Sequence, residues 1–211
     1  MKALIISSGN IKDTKILVEL HKQVDLTICA DGGSAYAIKA NIEPDIVIGD
    51  LDSIDKGTLK VIENNNIKIF KYPTKKDMTD TELAIEYAIE KGVNEIIFTG
   101  VTGNRLDHTL SNIMLLYKLL KIGVKGKIID SNNEIYITDN SLNLQRQNGT
   151  YVSIIPLVND LQGVTLKGFE YETENIDIKI GSTLGISNEI KDKKGSINIK
   201  NGVALVIKSR D

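Results

Sequence analysis

Pro44-Asp45-Ile46-Val47-Ile48-Gly49-Asp50-Leu51-Asp52-Ser53 is the stretch that decides the fold. A short β-branched run stops at a glycine and two carboxylates, the pattern of a strand whose carboxyl end opens on a polar loop. Two more acidic clusters sit at comparable handovers, Asp77-Met78-Thr79-Asp80 ahead of a helix and Arg105-Leu106-Asp107 behind a glycine loop. In an open parallel sheet the carboxyl ends of the strands face one crevice, so these clusters are expected to converge there as a magnesium and phosphate site.

The surrounding sequence supports such a sheet. Up to about residue 130, β-branched runs alternate with helical spacing, and Ala3–Ile6, Leu26–Ala30, Ile46–Ile48, Ile67–Tyr72, Glu95–Thr99 and Lys127–Ile129 read as strands. Thr79–Lys91 reads as a helix, with Thr79 and Glu82 as a capping box and Gly92 as the stop. Asp107–Ile122 reads as another, with Leu110, Ile113, Met114, Tyr117 and Leu120 on one stripe. Strand and helix in alternation predict an α/β domain, an open, mostly parallel, doubly wound sheet covered on both faces.

After Asp130 the helical period disappears. Glu134–Thr138, Tyr151–Leu157, Val164–Leu166, Ile176–Ile180, Ser196–Ile199 and Val203–Ile207 read as strands, with turns at Asn148-Gly149, Lys167-Gly168, Lys194-Gly195 and Asn201-Gly202. That pattern predicts an all-β sandwich or small barrel. The expected domains are therefore 1–131 and 132–211, a boundary that rests on the change of period alone.

Composition narrows the function. The chain has 211 residues, 41% of them hydrophobic, which suffices for a packed core. The net charge of −2, with both signs interspersed, carries no footprint for nucleic acid or an anionic membrane surface. No segment approaches the roughly 20 apolar residues needed to span a bilayer. The apolar run Ala3-Leu4-Ile5-Ile6 is too short for a signal peptide, and the single cysteine, Cys29, fits a reducing compartment; a cytoplasmic protein is expected.

Residue chemistry gives the candidate site. Asp50 and Asp52, two apart in an extended chain, point the same way and suit one hard cation, while Gly49 admits a ligand close to the backbone; the alternative reading is an Asp-rich turn ending the strand. Either a metal role or simple helix capping explains Asp80; Asp77 and the Lys75-Lys76 pair favour metal and phosphate together. Gly100-Val101-Thr102-Gly103-Asn104-Arg105 joins a strand to a helix, where backbone N–H groups receive phosphate, yet it matches neither GxGxxG nor a P-loop. Arg105 offers a planar fork for phosphate, and Asp107 either ligates metal or orients Arg105. His108 reads as a helix-capping or core histidine before a catalytic one, and Ala30-Asp31-Gly32-Gly33 as a ligand approach or a glycine-rich helix start. No Ser, His and Asp set supports acyl chemistry.

ADGG at 30–33, PDIVIGDLDS at 44–53, DMTDTELA at 77–84 and GVTGNRLDHTLSN at 100–112 together resemble thiamine pyrophosphokinase, in order and at family spacing. Gly181–Asn188 is similar to the family's thiamine-contacting segment and extends the resemblance into the β half. The resemblance implies an α/β nucleotide-binding catalytic domain at 1–131 and a β-sandwich thiamine-binding domain at 132–211. It implies a homodimer whose active site is shared between the α/β domain of one subunit and the sandwich of the other. The substrates would be ATP and thiamine, the cofactor Mg²⁺, and the products thiamine diphosphate and AMP. Catalysis would fall to Asp50, Asp52, Asp80, Arg105 and Asp107, with metal on Asp50, Asp52 and Asp80. Nucleotide and phosphate would meet Asp31, Gly32, Gly33, Lys76, Asp77, Thr79, Gly103, Arg105 and His108, and thiamine would meet Ser187 and Asn188. Some members place a tryptophan shortly after the Ser-Asn pair to stack on the thiamine pyrimidine; here Glu189-Ile190 follows, and the chain has no tryptophan. The alternatives are another Mg-dependent phosphotransferase or phosphohydrolase using the same acidic crevice, and a non-catalytic binding module.

Overall fold

The computed structural model describes residues 1–75 and 77–211; Lys76, expected at the phosphates, lies outside the described residues. The chain divides into two compact units, Met1–Ser131 and Asn132–Asp211. The first contains β1 (Lys2–Ile6), α1 (Lys15–His21), β2 (Leu26–Ala30), α2 (Gly33–Lys39), β3 (Ile46–Gly49), α3 (Lys56–Asn64), β4 (Lys68–Lys71), α4 (Asp80–Glu90), β5 (Glu95–Thr99), α5 (Leu106–Lys121) and β6 (Lys125–Ile129). Its strands run parallel in the order β4-β3-β2-β1-β5-β6.

Strands buried on both faces need continuous apolar sequence, which β1, β2 and β3 supply. Leu4, Ile6, Cys29, Val47 and Ile97 form one core with Leu17 and Leu20 of α1, Ala37 of α2 and Ile62 of α3. Helix α4 packs on β1, β2 and β3. It begins with the Thr79 half of the expected capping box, Thr79 Oγ1 accepting the Glu82 N–H at 3.2 Å, while the Glu82 carboxylate pairs with Lys118 Nζ at 2.9 Å. Helix α3 is capped by Asp55, which accepts from Gly57 N and Thr58 N.

The expected stripe on α5 is not the buried one. Leu116 and Leu119 are buried, whereas Leu110 and Met114 are exposed. The cause lies in β6, against which α5 packs. A Cβ at Gly126 would lie 2.8 Å from Leu119 Cδ1 and 2.9 Å from Leu116 Cδ2, so the missing side chain makes the hole these leucines fill. Leucines occupy two faces of α5, and its periodicity alone does not select between them.

The second unit holds β7 (Asn133–Thr138), β8 (Ser141–Gln145), β9 (Tyr151–Pro156), β10 (Leu161–Lys167), β11 (Thr173–Ile178), β12 (Lys194–Asn198) and β13 (Ala204–Ser209). It is an antiparallel sandwich, with β7-β13-β9 facing β11-β10-β12-β8 across a core that includes Val152, Ile154, Leu166, Phe169, Ile197 and Val206. Strand β8 was not expected, because Ser141-Leu142-Asn143-Leu144-Gln145 offers only two apolar residues; pairing with β12 secures it. The turn expected at Lys194-Gly195 is instead part of β12. Gly195 is there for packing: a Cβ would lie 2.6 Å from Phe169 Cε2.

Candidate active site

Asp50 and Asp52 converge through the Asp-rich turn and not through an extended pair. Leu51 between them has φ +69, in the left-handed region, and the Asp52 N–H donates to Asp50 Oδ1 at 3.2 Å. A bulky residue in that region is strained, and the Leu51 side chain is held by packing against the core beneath α1–α3. A tight turn therefore gathers the two acids.

Asp31, at the end of β2, joins them. Its φ is +46, its side chain is buried, and its Oδ1 has no hydrogen-bond partner among the described residues. Carboxylate oxygens of Asp31, Asp50 and Asp52 lie within 4.8 Å of one another. Asp80 arrives from the first turn of α4: a Cβ built on Gly49 would lie 3.0 Å from Asp31 Cβ and 3.2 Å from Asp80 Oδ1. The lack of a side chain at Gly49 is what lets these acids approach the strand end. An all-oxygen anionic set with a buried, unsatisfied oxygen fits a hard divalent cation. Asp31, expected at the nucleotide, thus sits with the metal candidates.

Beside the acids, the loops after β1 and β5 interlock. The N–H groups of Ser7, Gly9 and Asn10 donate to the carbonyls of Thr99, Gly100 and Thr102 at 2.9, 2.6 and 2.8 Å. A Cβ at Gly9 would lie 2.4 Å from Gly100 O, and one at Gly100, where φ is +66, would lie 2.2 Å from Ser7 O. These loops floor a cavity of about 700 Å³ whose wall is rich in hydroxyls and amides, among them Ser7, Asn10, Thr79, Thr81, Thr109 and Asn112. Ser7 and Thr81 share a buried hydroxyl hydrogen bond of 2.9 Å, tying β1 to the first turn of α4.

The glycines expected at phosphate have local duties as well. Gly33 packs under β1, where a Cβ would lie 2.0 Å from Ile6 O, and at Gly32 a Cβ would stand 3.1 Å from Ser8 Cβ. The Gly103 N–H donates to Thr109 Oγ1 at 3.1 Å. Thr79 spends its hydroxyl on the α4 cap, and Asp77 is exposed.

Arg105 and Asp107 form a two-point pair at the start of α5, Nη2 to Oδ2 at 2.6 Å and Nε to Oδ1 at 3.3 Å. That hydrogen bonding holds the Asp107 carboxyl below the usual carboxylate range. Asp107 thus orients Arg105, one of the two roles foreseen. His108 Nε2 lies 4.0 Å from Asp107 Oδ2, and all three side chains line the cavity. Cys29 is buried and its thiol is pushed up by desolvation, so it is inert.

In the second unit, Ser187 is exposed at φ +59 and donates its N–H to Ser153 Oγ. Asn188 is buried and committed to the protein. Its Oδ1 accepts from Tyr171 N at 3.1 Å and Glu189 N at 2.9 Å, and its Nδ2 donates to Tyr171 O at 2.8 Å. This pins Tyr171, a residue 71% exposed.

Sequence reasoning missed Ser7, Asn10, Tyr36, Thr81 and Asn112 at the cavity and Tyr171 beside Asn188. For Ser7 and Asn10 the signal was present, because β1 is itself a strand whose carboxyl end opens on the crevice. Nothing local in the sequence links Tyr171 to Asn188.

The family model described as the thiamin pyrophosphokinase catalytic domain matches residues 17–128, and that described as the thiamin pyrophosphokinase vitamin B1 binding domain matches 139–204. A thiamine pyrophosphokinase of Bacillus subtilis (strain 168) is 36% identical over 216 residues and covers 100% of both chains. A crystal structure of thiamine pyrophosphokinase from Bacillus subtilis superposes with a TM-score of 0.91 at 33% identity, covering 100% of each chain. One from Geobacillus thermodenitrificans gives 0.87 at 28% identity, covering 100% of this chain and 98% of that one.

Proposed function

The chain belongs to the thiamine pyrophosphokinase family and has that activity, and we propose that ATP with Mg²⁺ at the strand-end crevice supplies the pyrophosphoryl group. The observation that carries this reading is the gathering of Asp31, Asp50 and Asp52, with Asp80 across Gly49, beside a hydroxyl-lined cavity. Strand order adds support. The chain leaves β1 toward β2, β3 and β4, then returns to β5 on the other side, so β1 and β5 flank a switch point where ligands of open α/β sheets bind. Right-handed crossovers would put α1–α3 on one face and α4 and α5 on the other, the doubly wound arrangement.

The thiamine hydroxyl oxygen forms the new bond to the β-phosphorus, the bond from that phosphorus to the α,β-bridging oxygen breaks, and AMP leaves. Asp50, Asp52 and Asp80 would hold the metal, which neutralises developing charge on the phosphoryl oxygens. Arg105, oriented by Asp107, would meet those oxygens with the guanidinium N–H groups that its pair with Asp107 leaves over, alongside the 100–105 loop, and Lys76 is assigned to the phosphates as well. Asp107 or Asp80 accepts the hydroxyl proton. Gly32, Gly33, Thr79, Gly103 and His108 shape the nucleotide side.

Residues 1–131 would then serve as the nucleotide-binding catalytic domain and 132–211 as the thiamine-binding domain. Ser187 contacts thiamine, Asn188 fixes the loop, and the exposed Tyr171 ring stacks on the pyrimidine where no tryptophan exists. The working form is a homodimer that shares its sites, consistent with the exposed Leu106, Leu110 and Met114 on one side of α5. No helix of the described residues is long and apolar enough to cross a membrane, and we assign the protein to the cytoplasm.

The test is AMP release from Mg-ATP with and without thiamine, with thiamine diphosphate identified by mass. AMP and thiamine diphosphate should appear together, and only with thiamine. ATP breakdown that ignores thiamine would favour a phosphohydrolase instead.

A further inference from the structure

Ser7 follows β1 and Thr81 lies in the first turn of α4; both line the cavity, and they are only 6% and 7% exposed. Their hydroxyl oxygens lie 2.9 Å apart and share one hydrogen bond, in which either can be the donor. Each hydroxyl carries one hydrogen, so the pair owns two and spends one between its members. Whichever hydroxyl accepts keeps a hydrogen to give, and neither has another partner among the described residues. A buried donor without an acceptor is costly, and chains keep one where something outside the polypeptide receives it.

Neighbouring donors of the wall are turned onto the protein itself. The N–H groups of Ser7, Gly9 and Asn10 go to the carbonyls of Thr99, Gly100 and Thr102. The Thr102 hydroxyl donates to Asp130 Oδ2 at 2.9 Å, and that of Thr109 to Gly103 O at 3.3 Å. The hydroxyl pair differs from these groups in holding a hydrogen that no described residue takes.

We propose that the Ser7–Thr81 pair donates its second hydrogen to an acceptor atom of the nucleotide, as a recognition contact for that substrate. The inference rests on the reading of this cavity as the nucleotide side of the active site, and it adds to that site two residues outside its acidic cluster. Thr81 follows Asp80 on α4, and Ser7 follows the strand that flanks the switch point. A ligand atom held here is tied through one chain of hydrogen bonds to the sheet and to the helix that carries Asp80.

The experiment is calorimetric titration of the full chain, without thiamine, with Mg-ATP and with Mg-tripolyphosphate, on the wild type, Ser7→Ala, Thr81→Val and Thr81→Ser. Melting temperatures establish that each variant is folded. At least one of Ser7→Ala and Thr81→Val, the one that removes the donating hydroxyl, should weaken Mg-ATP by about tenfold or more. Thr81→Ser keeps the hydroxyl and should bind as the wild type does. In the weakened variant KM for ATP should rise while KM for thiamine stays the same. Tripolyphosphate weakened to the same degree would place the acceptor on the phosphates, and tripolyphosphate bound as by the wild type would place it on the nucleoside. Mg-ATP affinity kept in both Ser7→Ala and Thr81→Val would overturn the proposal, and so would a loss in Thr81→Ser as large as in Thr81→Val. In either case thiamine-dependent AMP release by the wild type would leave the functional reading standing.

Discussion

Replacing Asn188 by alanine separates a residue that builds the thiamine loop from one that touches the substrate. Three hydrogen bonds leave with the carboxamide, two accepted from Tyr171 N and Glu189 N and one donated to Tyr171 O. At about 0.5–1.5 kcal/mol each, their loss should destabilise the sandwich by about 2–4 kcal/mol. For a unit of this size that lowers the melting temperature by about 10 °C or more. Tyr171→Ala should behave in the opposite way. Its exposed ring holds little stability, so melting should move by no more than about 0.5 kcal/mol equivalent. Loss of a stacking face worth about 1–3 kcal/mol should raise KM for thiamine by about 5- to 150-fold. The assay is calorimetry on both variants beside steady-state kinetics with thiamine varied. If Asn188→Ala melts like the wild type while losing thiamine affinity, Asn188 is a substrate ligand and the loop-pinning argument fails.

Four further outcomes are expected. Asp50→Asn and Asp52→Asn should each cut kcat by about a hundredfold or more with the melting temperature kept, read across a Mg²⁺ titration; near-normal turnover at limiting Mg²⁺ would remove them from the metal. Arg105→Lys should lower kcat by at least about tenfold with KM for thiamine unchanged, since an ammonium cannot reproduce the fork; its pair with Asp107 is solvent-exposed, so urea stability should not move. Leu51→Val should cost about 1–2 kcal/mol in urea unfolding beyond the lost methylene, because a β-branched residue resists the left-handed turn, while Leu51→Ala should lose packing alone. Leu110→Asp should convert dimers to monomers in sedimentation velocity and lower activity with them, and a dimer that survives would place the interface elsewhere.

Strands β1, β2, β3 and β5 were readable because each is a buried, mostly apolar run, and little else in a chain looks like that. Helix α4 was readable from a local code, Thr79, Glu82 and Gly92, that does not depend on the rest of the molecule. The buried face of α5 was not, because it is decided by the hole at Gly126, which lies in the following strand and outside the helical period that Leu116 and Leu119 belong to. Strand β8 and the interior Gly195 were hidden for a related reason: one is held by a partner strand, the other by the ring of Phe169. At the site, the acid motifs were visible as residue types, but the turn at Leu51 and the isolation of Asp31 Oδ1 are backbone and burial facts that no spacing encodes. Asn188 was visible by resemblance, while its bonds to Tyr171 depend on how two loops of the sandwich meet.

The central place of β1 in its sheet also sets a timetable for the growing polypeptide. On one side β1 pairs with β2, which follows it closely, but its other neighbour is β5, whose Glu95 pairs with Lys2. Until the ribosome has delivered Thr99, a strand in which Ala3 to Ile6 are completely buried in the finished protein has one edge with no partner. The cavity floor waits longer still, because Asn10 bonds to Thr102. Every shorter nascent chain therefore exposes an apolar template to its neighbours on the polysome, and any pause in translation before that point extends the exposure.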